Sequence, residues 1–265
     1  KMNCLILGAG LMQKPAILSA KEMGLNVVVI DADKNAVSIP LADEFYQIDL
    51  KDKEGIVNLA LKLKENGGLK CIFTAGTDFS ASVSYACEKL NLPSHSFVAA
   101  TNASIKTQMR ECFQKDLVPS PLFVKLSNSC DIEKIVEEKF KGFYPLVVKP
   151  VDNMGARGCR MIRNKKELLS AVDLAIKSSK SGYAILEEFM EGPEYSIDAL
   201  IYNGTMTITG FAERHIKYPP YFIEIGHTMP VTLDKKIHDE LISAFALGAK
   251  SLGLTCGAAK ADIKY

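Results

Sequence analysis

The sequence predicts an α/β fold: a Rossmann-like parallel-sheet domain over residues 1–98, then an α+β domain with antiparallel sheets over residues 99–265. Three observations predict it. The N-terminal third alternates short apolar runs with stretches of helical periodicity, the pattern of βαβ units and a parallel sheet. Asn203-Gly204 separates two apolar runs further on, a hairpin signal because both turn positions need φ > 0. The chain has 265 residues, long for one small domain and rich enough in apolar residues for two cores.

Residues 3–7 form the first expected strand, leading into Gly8-Ala9-Gly10. A helix is predicted over residues 12–23, where Ala16, Ile17 and Ala20 recur at helical spacing and Gly24 stops it. Val27 to Ile30 make a buried second strand ending at Asp31. Gly8-x-Gly10 with Asp31 about 20 residues on partly matches a dinucleotide fingerprint. Gln13 holds the third glycine position, however, and a tight strand-to-helix turn is the simpler reading. A strand over 42–49, an amphipathic helix over 53–64 and a strand over 70–74 follow. The loop 75–78 lies at that strand's carboxyl end, and residues 80–90 are helical.

One helix is expected over residues 101–115, capped by Asn102 and carrying Lys106 and Arg110. Val118-Pro119-Ser120-Pro121 breaks it. A strand over 122–124 and a helix from Asp131 to 140 come next. Beyond the central stretch, residues 195–202 and 206–211 are the hairpin strands, and residues 213–220 are polar, with Arg214, His215 and Lys217. A strand over 221–225 ends in a Gly226-His227 turn, and residues 234–252 form a long amphipathic helix. Residues 257–265 read as a strand with no breaker or polar tail, so a continuation is expected beyond Tyr265.

Composition narrows the function classes. The formal charge is +1, which argues against a broad electrostatic footprint for nucleic acid or an anionic membrane. No apolar stretch is long enough to span a bilayer, and no signal peptide is evident. The seven cysteines are scattered, without a C-x-x-C pair, and read as reduced thiols of a cytoplasmic protein.

The chemistry concentrates in residues 144–198. An apolar strand ends on Lys149, whose ammonium is thereby held where it meets a phosphate as a point charge. A loop follows with Gly155, Arg157 and Gly158, and glycines let backbone N–H groups approach phosphate oxygens closely. Glu187-Glu188-Phe189-Met190 combines a polar backbone with apolar side chains, which suits adenine, and Glu191 or Glu194 suits ribose hydroxyls. The order lysine, glycine loop, then this run points to a nucleoside triphosphate, without a G-x-x-x-x-G-K-[ST] loop anywhere.

On these residues the chain resembles the ATP-grasp superfamily. It is most similar to the branch holding the carbamoyl-phosphate synthase large subunit and ATP-dependent carboxylate–amine ligases. The resemblance makes residues 1–98 a pre-ATP-grasp domain and 99–265 an ATP-grasp domain incomplete at its C-terminus, with a mobile lid at about 121–188. It implies ATP and Mg²⁺ as cofactors. Lys106 and Lys149 take the two ATP lysine positions, and residues 155–158 the phosphate-covering loop. Glu187 to Met190 take the adenine hinge, Glu194 the ribose acid and Asp262 the first magnesium carboxylate. Arg214, Lys217 and His227, with His215, lie where related ligases meet the acid substrate. A second metal motif, roughly Glu-Ile-Asn-Pro-Arg, would fall beyond Tyr265.

The implied activity is phosphorylation of a carboxylate to an acyl phosphate and its coupling to an amine or ammonia, releasing ADP and phosphate. Small-molecule carboxylate and amine partners are expected, with a homodimer as an open expectation and neither nucleic acid nor membrane as a partner. Two other readings stay open: a non-catalytic ATP-binding module, and an NAD-dependent oxidoreductase built on Gly8, Gly10 and Asp31.

Overall fold

The computed structural model describes residues 1–153 and 156–265. Two compact units emerge, Lys1–Thr101 with Thr255–Gly257, and Asn102–Leu254 with Ala258–Tyr265.

The first unit contains β1 (Asn3–Leu7), α1 (Lys14–Glu22), β2 (Asn26–Asp31), β3 (Glu44–Gln47), α2 (Lys53–Glu65), β4 (Leu69–Thr74) and α3 (Ser80–Leu90). Its four strands pair in parallel in the order β3-β2-β1-β4. β1 is buried along its whole length, as a central parallel strand covered on both faces must be. Alternate residues serve opposite faces. Leu5, Leu7, Val28 and Ile30 pack with Ile56 and Leu63 of α2 and Leu90 of α3. Cys4, Ile6, Val27 and Val29 pack with Ile17 and Ala20 of α1.

The first helix begins later than its periodicity suggests, because Leu11–Gln13 form a separate 3-10 turn. That turn also consumes the amides of the glycine motif. Asp31 accepts from the Ala9 N–H at 2.9 Å, Gln13 Oε1 accepts from the Gly10 N–H at 2.9 Å, and the Gln13 amide donates to the Ala75 carbonyl.

α4 (Phe97–Ser104) and α5 (Lys106–Lys115) replace the single helix expected over 101–115. Ile105 is extended, with φ −103° and ψ 111°, so Asn102 lies inside α4 instead of capping a helix, and Lys106 opens α5.

The second unit continues with β5 (Phe123–Leu126), α6 (Ile132–Phe140), β6 (Leu146–Pro150), β7 (Arg160–Ile162), α7 (Lys165–Ser178) and β8 (Ala184–Glu188). It ends with β9 (Glu194–Tyr202), β10 (Thr205–Lys217), β11 (Ile223–Thr228), α8 (Lys235–Leu252) and β12 (Gly257–Lys264). One antiparallel sheet runs β5-β8-β6-β7, and its apolar face packs on α6 and α7 through Leu146, Val148, Leu186, Phe140 and Val172. A second sheet runs β11-β10-β9-β12 and packs on Leu241 and Phe245 of α8.

Asn203 and Gly204 turn the β9–β10 hairpin with φ 49° and 77°. β10 runs to Lys217, past the hairpin strand expected to end at 211 and into the polar stretch, because it is paired with β9 on one side and β11 on the other. Gly226 and His227 are likewise strand residues of β11, opposite His215 and Arg214, and not a turn. Among the described residues no helix is long and apolar enough to cross a membrane.

Candidate functional site

Period-two alternation in β6 and β8 sorts their side chains. Leu146, Val148, Ala184 and Leu186 go to the core. Lys149 and Glu187 share the other face, one step apart on the diagonal, since Lys149 pairs with Ile185 and Val147 with Glu187. α5 adds Arg110 on the far side of the carboxylate. Glu187 is 3% exposed; its Oε2 lies 2.5 Å from Lys149 Nζ and its Oε1 2.6 Å from Arg110 Nε. Burial alone pushes this carboxyl up, and the Lys149 ammonium and Arg110 guanidinium outweigh it and hold it below the ordinary glutamate value. The resemblance placed Glu187 at the start of the purine hinge; its carboxylate joins two cations.

Lys106 sits beside this cluster. Its backbone N–H donates to the Val151 carbonyl at 3.0 Å and its Nζ to the Asn153 carbonyl at 2.7 Å. Burial lowers its pKa, and the nearby Lys149 charge acts in the same direction. The loop after β6 is fastened at its base by Asp152, which accepts from Ser179 Oγ at 2.7 Å, Lys180 N at 2.9 Å and Ser181 N at 2.8 Å. Gly158, at φ 77°, closes that loop where a Cβ would stand 2.6 Å from the Ser178 Cβ and 2.8 Å from Pro150. Arg157 is exposed, and Gly155 lies outside the described residues.

Between β8 and β9 the chain forms a linker. The Glu188 N–H donates to the Leu122 carbonyl at 3.0 Å, its carboxylate accepts from the Leu122 N–H at 3.0 Å, and the Phe189 N–H donates to Pro145 at 3.3 Å. The Phe189 ring stacks on Phe222, centroids 6.1 Å apart. Met190 is half-exposed and its carbonyl accepts from Lys264 Nζ at 2.9 Å. Gly192 abuts the Tyr265 carbonyl, whose oxygen a Cβ at residue 192 would overlap. A cleft of about 340 Å³ opens here, bordered by Met161, Phe189, Glu194, Arg214, Lys217 and Lys264. That volume lies at the lower end of small-molecule pockets, about 300–1,000 Å³.

Arg214, on β10, gathers three strands. It pairs with Glu194 of β9, with Glu224 of β11 at 2.5 Å, and with Asp262 of β12 at 3.2 Å. Burial disfavours its charge, yet hydrogen bonding to Glu224 and the neighbouring carboxylates raise its pKa, so it stays cationic. The Arg214 bond in turn lowers the Glu224 pKa. His227 faces Glu224 at 3.8 Å, His215 shares a 2.7 Å hydrogen bond with Thr228 Oγ1, and exposed Lys217 sits at the rim.

The structure thus brings together Glu194, Glu224 and Asp262 around Arg214, with His227 against Glu224, and Lys149 with Glu187, while Lys106 donates to the Asn153 carbonyl after β6. Among the described residues no group of three or more His, Cys, Asp or Glu side chains is arranged to hold a metal ion. Asp262 is a single carboxylate, 3.2 Å from Arg214 Nη1 and 3.4 Å from Lys260 Nζ, whereas Mg²⁺ is commonly held through one or two carboxylates together with the oxygens of a phosphate ligand.

Sequence reading missed the site roles of Arg110, Glu224, Phe222 and Lys264. Only Lys264 carried a signal: it follows Asp262 by two positions, which in a strand is the same face.

Residues 142–265 match the family model described as the ATP-grasp domain. The formate-dependent phosphoribosylglycinamide formyltransferase of Prochlorococcus marinus subsp. pastoris is 30% identical over 192 residues, covering 70% of this chain and 47% of the relative. The C-terminal section of the carbamoyl phosphate synthase large chain of Methanocaldococcus jannaschii is 23% identical over 247 residues, covering 90% of this chain and 39% of the relative. The crystal structure of N5-carboxyaminoimidazole synthetase from Staphylococcus aureus complexed with ADP superposes with a TM-score of 0.79 at 22% identity, covering 98% of this chain and 66% of that one. The chain spans about half or less of the length of these curated relatives.

Proposed function

Residues 142–265 are an ATP-grasp domain, and from that premise we propose that the chain is the nucleotide-binding part of an ATP-dependent carboxylate–amine ligase. In this reading ATP passes its γ-phosphoryl group to a substrate carboxylate. The amine or ammonia then attacks the acyl phosphate carbon, and phosphate leaves as the amide forms. Relatives named for formate-dependent formyl transfer and for carboxyaminoimidazole synthesis support a small carboxylate and a nitrogen nucleophile as partners.

Phosphoryl transfer needs positioning and charge neutralisation more than covalent help. Lys149, Lys106 and the amides of the loop after β6 supply both. Lys149 is held at one point by a carboxylate that cannot leave, and Lys106 is already partly stripped of water. The linker at Phe189 and Met190 grips the purine, and Glu194 meets the ribose. Mg²⁺, held by Asp262 together with the phosphates, would neutralise their charge. Arg214, already shared among carboxylates, orients the acid site, while Lys217 and His227 at its rim meet the substrate acid. Residues 121–188 serve as the lid. A cytoplasmic setting and a homodimer belong to the same reading.

The observation that carries the proposal is the buried Glu187 clamp, which fixes the Lys149 ammonium on the polar face of the β6–β8 pair. Lys149→Ala is expected to weaken ATP binding at least tenfold by isothermal titration, one lost charge-assisted contact being worth about 1.5–3 kcal/mol. Unchanged ATP affinity would overturn the reading. NAD should give no thermal shift in parallel, since the amides at Gly10 and Ala9 are already bonded to Gln13 and Asp31. In the full-length protein, phosphate release should depend on an added carboxylate, and ATP binding without any such turnover would leave only a binding module.

A further inference from the structure

β12 turns Ala259, Ala261 and Ile263 toward the core beneath α8 and presents Lys260, Asp262 and Lys264 on its other face. Asp262 reaches Arg214. Lys264 reaches into the cleft, where its Nζ stands 2.9 Å from the Met190 carbonyl and 4.6 Å from the centroid of the Phe189 ring. Phe222 stacks behind Phe189, so the cation lies against an aromatic wall. Among the described residues no carboxylate stands within 4.0 Å of the Lys264 ammonium, although the charges of Glu194 and Glu191 lie nearby. This lysine is therefore held by a carbonyl and a ring, not neutralised by an acid.

An ammonium has three N–H donors and no acceptor. One donor is spent on the Met190 carbonyl, leaving two for whatever enters. That same contact occupies a lone pair which the linker would otherwise offer to an exocyclic amino group. Donors recognise ring nitrogens and carbonyl oxygens, and a site built to donate discriminates by leaving its donor unmatched when the acceptor is missing.

We infer that Lys264 is a base-selecting residue of this cleft, donating to an acceptor atom of the bound purine so that 6-oxo purine nucleotides are taken alongside the 6-amino one. The inference rests on the nucleotide-binding reading given above and adds to it the chemistry of the base.

Equilibrium binding of ATP and inosine triphosphate, each with Mg²⁺, to the wild-type chain, Lys264→Met and Lys149→Ala decides the matter. Wild type is expected to bind the two nucleotides within about tenfold of each other. Lys264→Met should lose about tenfold for inosine triphosphate and less than about threefold for ATP, the size of one charge-assisted hydrogen bond. Lys264→Arg, which keeps the donors, should preserve the wild-type ratio and stands in if the methionine variant does not fold. An unchanged ratio in Lys264→Met, or in its absence a wild-type preference for ATP beyond a hundredfold, overturns the role of Lys264. Absence of ATP binding by wild type, or ATP binding indifferent to Lys149→Ala, overturns the nucleotide reading itself.

Discussion

Glu187 is the residue on which the phosphate side of the site depends. Its charge is stabilised by Lys149 and Arg110, so its folded pKa lies below the ordinary value of 4.5. A depressed carboxylate contributes stability that is complete above the unfolded pKa and is lost as pH falls through the folded one. Urea unfolding midpoints should therefore hold from neutrality to about pH 4.5 and decline below it in part because Glu187 protonates. Glu187→Gln should flatten that acid limb and cost about 2–3 kcal/mol at neutral pH, somewhat under the usual penalty for breaking a buried pair because Lys149 is 28% exposed. The residue that matters here was visible in the sequence, but its role was not. Lys149 stood out because an apolar strand ends on it. The Arg110–Glu187 contact joins positions 77 apart, and only the packing of α5 against the sheet reveals it.

At the scale of elements, the base of the loop after β6 is anchored at Asp152. Asp152 ties the loop to the α7–β8 connection with three bonds, two of them to backbone N–H groups. Those bonds outweigh burial and keep its pKa below the usual aspartate value. Asp152→Ala should lower stability by about 1–2 kcal/mol and weaken ATP several-fold without touching a phosphate, measured by thermal melting and titration together. Strands and helices with clear periodicity were legible, as was the Asn203-Gly204 turn. The break at Ile105 was not, since nothing in its residue type forbids helix; Lys106 donating to Val151 shows the local geometry that accompanies it. The strand character of residues 213–217 and 226–227 was hidden too, because pairing on both sides of β10 overrides local polarity.

At the scale of the molecule, the cores separate cleanly. Two clusters belong wholly to residues of the first unit and two wholly to the second. Calorimetry should resolve two transitions. ATP with Mg²⁺ at about 100 times its Kd should raise only the one belonging to the second unit. The stabilisation would be about 2.7 kcal/mol, or roughly 5–10 °C for a unit of this size. Loss of the ATP effect in Lys149→Ala, with the other transition unmoved, would locate binding in the second unit. Parallel and antiparallel halves were readable from residue pattern, in the βαβ alternation and the Asn203-Gly204 turn; the meeting of Glu194, Glu224 and Asp262 on Arg214 was not, because four strands must assemble before those charges come within reach.

The glycine between Met190 and Glu194 that touches the Tyr265 carbonyl leaves no slack between the linker and the residue that follows β12. A single methyl group at position 192 would wedge the two backbones apart and drag Asp262 and Lys264 out of alignment in one movement. Saturation mutagenesis scored by nucleotide retention should then find a position intolerant of every other amino acid, although it contributes no atom to chemistry. Clearance, and not contact, would be what is under selection there.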